Sequence, residues 1–296
     1  MSCPRVLLRP GGPDFSRIVA GMWRLADWQM DGKALLDYID ACLELGVTTF
    51  DHADIYGDYR CEALFGAALA QAPTHRARLQ LVSKCGICLI SDARPTHRIK
   101  HYDTRAAHIQ ASVERSLAAL QTDRLDLLLI HRPDPLMRYD EIAHTFERLQ
   151  RDGKVLAFGV SNFSPAQFAA LDTRIPLATN QVECSPLHCA PIFDGTFDQL
   201  QPIRVAPMLW SPLAGGRLFA GDGALQTLLA EKAAALQTTP TTLVYAWLMA
   251  LPCHPLPLTG SRRIEVVREA VAACALELDH QSWYEILETA LGHEVP

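Results

Sequence analysis

The sequence predicts an α/β protein folded as a closed (β/α)8 TIM barrel, with an N-terminal hairpin and extra helices near the C-terminus. Three observations carry that prediction. Short apolar or β-branched runs alternate eight times with helix-length amphipathic segments along 296 residues. No linker-like or low-complexity stretch interrupts them, so residues 1–296 read as one domain. The groups suited to chemistry stand at the carboxyl ends of the strand-like runs, where a barrel gathers its active groups. A doubly wound sheet is the alternative, but no G-x-G-x-x-G follows the first strand, where Gly21 stands alone.

The elements follow in order. Residues before Ser16 hold a short apolar piece and the turn Gly11-Gly12-Pro13, read as a hairpin closing the bottom of the barrel. Residues 17–21 read as strand one. Asp31 is placed to cap a helix running to Leu45, with Leu35, Leu36, Ile39, Cys42 and Leu43 on one face and Gly46 as its stop. Residues 47–50 form a β-branched and aromatic run ending on Asp51, followed by a helix over 61–70. Residues 79–83 lead to Lys84, and an unusually long loop runs on to Arg105; such loops in compact domains are functional or mobile. A helix over 104–121, a strand over 125–130 ending at His131 and a helix over 139–150 come next, the last stopped by Asp152-Gly153. Residues 155–160 read as strand five, and Ser164-Pro165 starts a short helix, since proline suits the first turn. Residues 178–182 and 204–210 are strands six and seven. Helices over 225–236 and 241–250 are separated by the start signal Thr239-Pro240. Residues 256–258 form a brief eighth strand, 264–275 the eighth helix and 281–291 a terminal one.

Composition bounds the function. With 49% hydrophobic residues the chain can bury a full core. Net charge is −6 and no basic run occurs, which argues against nucleic acid. Residues 1–10 lack the apolar stretch of a signal peptide, and the best apolar segment, 243–251, is too short for a bilayer and runs into Pro252. Nine scattered cysteines fit a reducing cytoplasm rather than a disulfide framework.

If the strands are parallel neighbours, Asp51, Tyr56, Lys84 and His131 converge on one spot, and together they describe a proton donor and its tuning apparatus. Around them stand, in order, Val82-Ser83-Lys84-Cys85-Gly86, Leu125-Asp126-Leu127-Leu128-Leu129-Ile130-His131-Arg132-Pro133-Asp134-Pro135, Phe158-Gly159-Val160-Ser161-Asn162-Phe163 and Asn180-Gln181-Val182-Glu183. This constellation and these tracts resemble the aldo-keto reductase superfamily over nearly the whole chain, and within it a bacterial branch of YdhF-type oxidoreductases. The resemblance implies NADPH-dependent reduction of small aldehydes or ketones to alcohols. Hydride would pass from reduced nicotinamide to the carbonyl carbon while Tyr56 protonates the oxygen.

A phenol near pKa 10 donates poorly at neutral pH, so Tyr56 needs help. A buried Lys84 ammonium favours the phenolate, and Asp51 keeps Lys84 charged. A depression of two to three units asks roughly 3–4 kcal/mol of this triad. A neutral His131 would hydrogen-bond the carbonyl oxygen and orient the substrate.

The resemblance also implies a dinucleotide clasp. Ser161, Asn162 and Gln181 match positions that hold the nicotinamide carboxamide, and Trp210 the aromatic that stacks on its ring. Ser211, Leu213, Gly215, Gly216 and Arg217 resemble the pyrophosphate clasp, where glycines let backbone amides approach phosphate. Gly260, Ser261, Arg262 and Arg263 open the last large helix, an anion site suited to a 2′-phosphate and so to NADPH, with NADH also possible. Gly21 and Trp23 after strand one and Glu269 in that helix complete the cofactor set. Trp23, Trp28 and Tyr59 are the candidates for the substrate wall, with the long loop after Lys84.

The chain departs from the family's pattern in three places. His52 stands where a small hydroxyl residue commonly follows the aspartate, Val266 where Arg or Lys is frequent, and Ala270 where Asn is frequent. The last two leave fewer polar groups for the adenosine end. Cys85 and Cys88 form a C-x-x-C, though after strand three rather than at the start of a thioredoxin-like helix. A zinc site combining them with Cys184, His188 and Cys189 is geometrically conceivable, but the implied mechanism needs no metal. Two rival functions remain: a slow NADPH-binding regulatory subunit that senses redox state, and a Schiff-base aldolase using Lys84, which would want an unpaired lysine in apolar surroundings.

Overall fold

Period-two alternation decides where the chemistry points. In the strand Leu127–Ile130, Leu127 and Leu129 pack in one apolar cluster and Leu128 and Ile130 in another. The first cluster fills the inside of a closed parallel barrel, and the second lies between strands and helices. The structure, a computed structural model, describes residues 2–295. A hairpin, β1 (Arg5–Leu7) and β2 (Asp14–Ser16), precedes the barrel strands β3 (Val19–Gly21), β4 (Thr49–Asp51) and β5 (Gln80–Cys85). A two-stranded ladder of β6 (Ile87–Cys88) and β7 (His101–Tyr102) follows. The remaining barrel strands are β8 (Leu127–Ile130), β9 (Phe158–Ser161), β10 (Asn180–Glu183), β11 (Met208–Trp210) and β12 (Leu256–Thr259). All eight barrel pairings are parallel, and Leu258 opposite Val19 closes the ring.

The bottom is plugged by the hairpin, as the turn residues predict. Leu8 and Phe15, both 0% exposed, enter the interior cluster with Val82, Leu127, Met208 and Leu256. Burying each such side chain contributes about 1.5–3 kcal/mol. At the top the same parity puts polar groups inside: Asp51 follows Thr49, Lys84 follows Val82, and His131 follows Leu129 along the inward face. The sequence alternation thus carries hydrophobes to the lower layers and ionisable groups to the mouth.

The helices behave as their caps predict. Gly32–Glu44 starts where the Asp31 carboxylate accepts the Ala34 amide at 2.8 Å, buries Leu35, Tyr38, Ile39, Cys42 and Leu43, and ends before Gly46 at φ +78°. Losing that cap would cost about 1 kcal/mol. Helix Pro165–Asp172 carries a full capping box of Ser164 and Gln167. Helices Cys61–Leu69 and Ala106–Leu120 approach closely because Gly66 lacks a side chain: a Cβ there would stand 2.1 Å from the Ala119 carbonyl oxygen.

Several strands begin later than their apolar runs do, notably β11, since residues 204–207 approach the ring as loop. The long loop after Lys84 is partly organised by the β6–β7 ladder. Short helices at Leu25–Trp28, Tyr56–Tyr59, Ala190–Phe193 and Thr196–Leu200 had no sequence signal, because four or five residues are too few to show a 3.6-residue period. Among the described residues no helix is long and apolar enough to cross a membrane.

Candidate active site

Three adjacent strands deliver the central groups. Lys84 Nζ, on a side chain 1% exposed, donates to Asp51 Oδ2 at 2.6 Å, to the His52 carbonyl at 2.8 Å and to the Tyr56 hydroxyl at 3.0 Å. All three ammonium protons are therefore used. The phenol oxygen accepts from Lys84, which leaves its own proton free for a substrate. Asp51 is held from both sides, because Gln181 Nε2 donates to its Oδ1 at 2.9 Å. His131 meets Tyr56 edge-on, with ring centroids 5.8 Å apart.

The electrostatics agree with the sequence reading for two groups and differ for a third. Burial lowers the Lys84 pKa, but Asp51 and Tyr56 outweigh it, so the net direction is upward and the ammonium persists. His131 is held well below 6.5 by burial and by Lys84, Arg132 and Lys100, so its imidazole is neutral. Tyr56 moves the other way from the expected depression: burial raises its pKa, Lys84 lowers it, and the net direction is upward. The main reason is burial of the phenol itself, which outweighs the Lys84 charge, and the Asp51 carboxylate 2.6 Å from the ammonium adds to the upward push.

A second polar layer lies behind the strands. Glu62 accepts from Ser83 at 2.5 Å, and Asp54 accepts from Ser112 at 2.6 Å. Burial pushes the Asp54 carboxyl up to about 7. His52 is fully buried edge-on to Phe65, 4.5 Å between centroids, with neither ring nitrogen bonded, and burial followed by Lys84 pushes it down to about 3. At this position the histidine fills space between β4 and helix Cys61–Leu69. The sequence reading did not single out Asp54 or Glu62, since their serine partners lie 58 and 21 positions away and leave no local signature.

Ser161, Asn162, Gln181 and Trp210, expected around a carboxamide, lie together and bond one another. Asn162, at φ +59°, donates to Ser161 Oγ at 2.7 Å and accepts from the Trp210 indole at 3.1 Å. Ser161 Oγ in turn donates to the Gln181 carbonyl at 2.8 Å. The loop after β11 has Ser211 at φ +54°, Gly215 at +68° and Gly216 at +94°, and Gly216 faces open space, as does Gly260 after β12. Left-handed glycines with no Cβ in the way leave room for an anion to approach this loop, whose Gly216 amide itself donates to the Leu213 carbonyl at 2.9 Å. Arg217, Arg262 and Arg263 have no ion-pair partner among the described residues, and Arg262 reaches the Trp28 carbonyl at 3.4 Å. Leu213 borders this loop from the apolar side, and Gly21 sits 3.5 Å (from a Cβ position) below the Thr259 carbonyl. Glu269 is partly buried with its carbonyl bonded to Thr242, and Ala270 is fully buried, so it offers the adenosine end nothing.

Of the proposed substrate wall, Trp23 is 56% exposed above β3. Tyr59, at φ +64°, anchors the long loop: its hydroxyl accepts the Leu89 amide at 3.0 Å, and Arg94 covers its ring at 4.3 Å. Trp28 is a correction. It is 7% exposed and packs edge-on against Tyr38 in the core, since the one-turn helix Leu25–Trp28 rolls it inward. The C-x-x-C thiols are also core groups: burial pushes Cys88 up to about 11 and Cys85 well above its usual value. Cys184 and Cys189 pack in a different apolar cluster from Cys85, which separates the four thiols.

The family model described as the Aldo/keto reductase family matches residues 17–290. The chain belongs to the aldo/keto reductase family. It is 53% identical to oxidoreductase YdhF of Escherichia coli K12, over 99% of each chain. It is 42% identical to a 6-dehydroglucose reductase of Agrobacterium fabrum, over 95% of this chain and 96% of that one. Among solved structures, an aldo/keto reductase from Klebsiella pneumoniae in complex with NADP and acetate superimposes with a TM-score of 0.79 at 26% identity, covering 95% of this chain and 93% of that one. The aldo/keto reductase barrel and the oxidoreductase class follow from these likenesses and from the eight-stranded ring. A lysine tied to a carboxylate and a phenol is also not the unpaired amine a Schiff-base aldolase requires.

Proposed function

We propose that the protein reduces small aldehydes or ketones to alcohols with NADPH, using Tyr56 as general acid. The observation that carries this reading is the bonding of one hydroxyl. Tyr56 accepts from Lys84 at 3.0 Å, so that contact leaves the phenolic proton unused. Asp51 keeps Lys84 charged, Gln181 keeps Asp51 in place, and the charged Lys84 offsets part of the burial that opposes phenolate formation. Neutral His131 donates to the carbonyl oxygen and sets its angle.

A reduced nicotinamide supplies hydride when bound. Ser161, Asn162 and Gln181 would hold its carboxamide, Trp210 its ring face, and Gly215, Gly216 and Arg217 the diphosphate. Ser261, Arg262 and Arg263 would take a 2′-phosphate, favouring NADPH over NADH. Nine free thiols suit a reducing cytoplasm.

The test follows NADPH absorbance with a panel of aldehydes, ketones, dicarbonyls and sugar-derived aldehydes, the last because a relative is named for 6-dehydroglucose. Tyr56→Phe should lower turnover by about 10²–10⁴ while NADPH affinity, read by fluorescence, stays within a few-fold. Retained turnover removes Tyr56 from the acid role.

A further inference from the structure

The segment that rises from the carboxyl end of β5 runs against the charge of the chain. Between Cys85 and Arg105 it carries Arg94, Arg98, Lys100 and Arg105 against Asp92 and Asp103, in a protein of net charge −6. Two of these cations are occupied: Arg105 bonds both oxygens of Asp103 at 2.9 and 2.6 Å, and Arg94 lies on Tyr59. Lys100 is exposed and has no ion-pair partner among the described residues. On the next strand, Arg132 directly follows His131, lies 5.7 Å from the Trp210 ring centroid and has no ion-pair partner either. It lines a cleft of about 520 Å³ that also reaches Asn162 and Trp210.

The charges that act on the His131 ring are Lys84, Arg132 and Lys100, with no carboxylate among them. Two carboxylates line the same cleft, Glu183 and Asp194. Glu183 ends β10, and Asp194 follows helix Ala190–Phe193 and accepts from the Thr196 amide at 2.9 Å. The ring order sets β5 and β8 across the mouth from β11 and β12, whose loops hold Arg217 and Arg262. Arg132 therefore stands apart from the diphosphate and 2′-phosphate end of the proposed clasp and beside its nicotinamide end, at Trp210 and Asn162. Ile99, next to Lys100 in the chain, and Leu136, four residues beyond Arg132, are exposed apolar side chains, at 67% and 85%.

We infer that the site takes carbonyl compounds that carry an oxyanion on an apolar body, and that Arg132 and Lys100 receive that oxyanion. This rests on the reading of the site as a carbonyl reductase. A carboxylate or sulfonate meets Arg132 through two parallel N–H bonds, and Lys100 adds a mobile charge. The cationic loop also concentrates anions at the mouth before contact.

The test compares 4-formylbenzoate and 4-formylbenzenesulfonate with methyl 4-formylbenzoate, which has nearly the same shape and no charge. The expected kcat/KM ratio favours the anions by about tenfold or more at low salt and shrinks as salt rises from about 20 to 300 mM. In Arg132→Gln/Lys100→Gln the ratio should fall at least fivefold toward one, whatever the ester's own rate. A wild-type ratio near one, or a ratio that the double variant leaves unchanged, overturns the inference. Calorimetric binding of 4-carboxybenzyl alcohol against its methyl ester reads the anion site without turnover. If no carbonyl compound is reduced at all, that measurement still separates a missing anion site from a failed reductase reading.

Discussion

Replacing Asp51 by Asn changes one atom and removes one charge from the centre of the site. In the native arrangement both carboxylate oxygens accept, one from Lys84 at 2.6 Å and one from Gln181 at 2.9 Å. An asparagine has one acceptor, so its NH₂ must face one of two donors. The least costly repair is for Lys84 to lose its proton and accept. Breaking a buried pair from one side costs about 3–5 kcal/mol, and both side chains here are nearly inaccessible, at 1% and 2%. The sign of the pH dependence is the sharper signature. Native Lys84 has a raised pKa, so its contribution is present below the unfolded lysine value and lost as pH climbs through the folded one. In Asp51→Asn the folded lysine is neutral while the unfolded one is charged, so the variant gains stability as pH rises. The gap between the two proteins should be widest near pH 7 and narrow by about 1.4 kcal/mol per pH unit toward pH 10. Urea unfolding at four pH values measures it, and turnover should collapse in parallel. A gap that stays constant with pH would mean that Lys84 remains charged without Asp51, and the argument for the carboxylate's role would fall.

Arg262→Ala should weaken NADPH binding about tenfold or more while NADH binding changes little, measured by fluorescence titration; equal losses would move the 2′-phosphate contact elsewhere. Asp54→Asn should flatten the pH dependence of stability. With its carboxyl raised to about 7, Asp54 contributes stability at low pH that is lost as pH rises through 7, so the variant should gain about 2–3 kcal/mol on the wild type between pH 5 and 8. Parallel curves would show that Asp54 titrates normally. Because His131 is neutral far below pH 6.5, the KM for an uncharged aldehyde should show no break between pH 6 and 8; a break there would assign the imidazole a proton.

Much of the barrel is legible in the sequence because each strand ends where its hydrophobic run meets a polar group. Leu127 to Ile130 running into His131, and Gln80 to Ser83 running into Lys84, give both the element and the direction of its last side chain. Caps at Asp31, Ser164 and Thr239 fix helix starts through single hydrogen bonds that sequence alone specifies. What stays hidden depends on distances between strands. Nothing local says that Gln181 reaches Asp51, 130 positions away, or that His52 is packed against Phe65. Trp28 could not be assigned to wall or core because a one-turn helix sets its direction, and one turn shows no periodicity. The direction of the Tyr56 pKa was misread for a related reason: the residue types reveal a cation beside a phenol, but only the fold reveals how deeply the phenol is buried.

The ring is sealed by the pairing of Leu258 and Thr259 with Val19 and Ala20. During synthesis the first strand leaves the ribosome long before the strand it must join, so one of its edges stays open until nearly the whole chain has emerged. The hairpin that plugs the floor waits with it, since Phe15 packs among residues as late as Leu256 and Leu258. Such distant pairing makes assembly slow, and half-made chains expose an unsatisfied strand edge. A nascent chain of this kind would be expected to depend on chaperones until its last strand arrives.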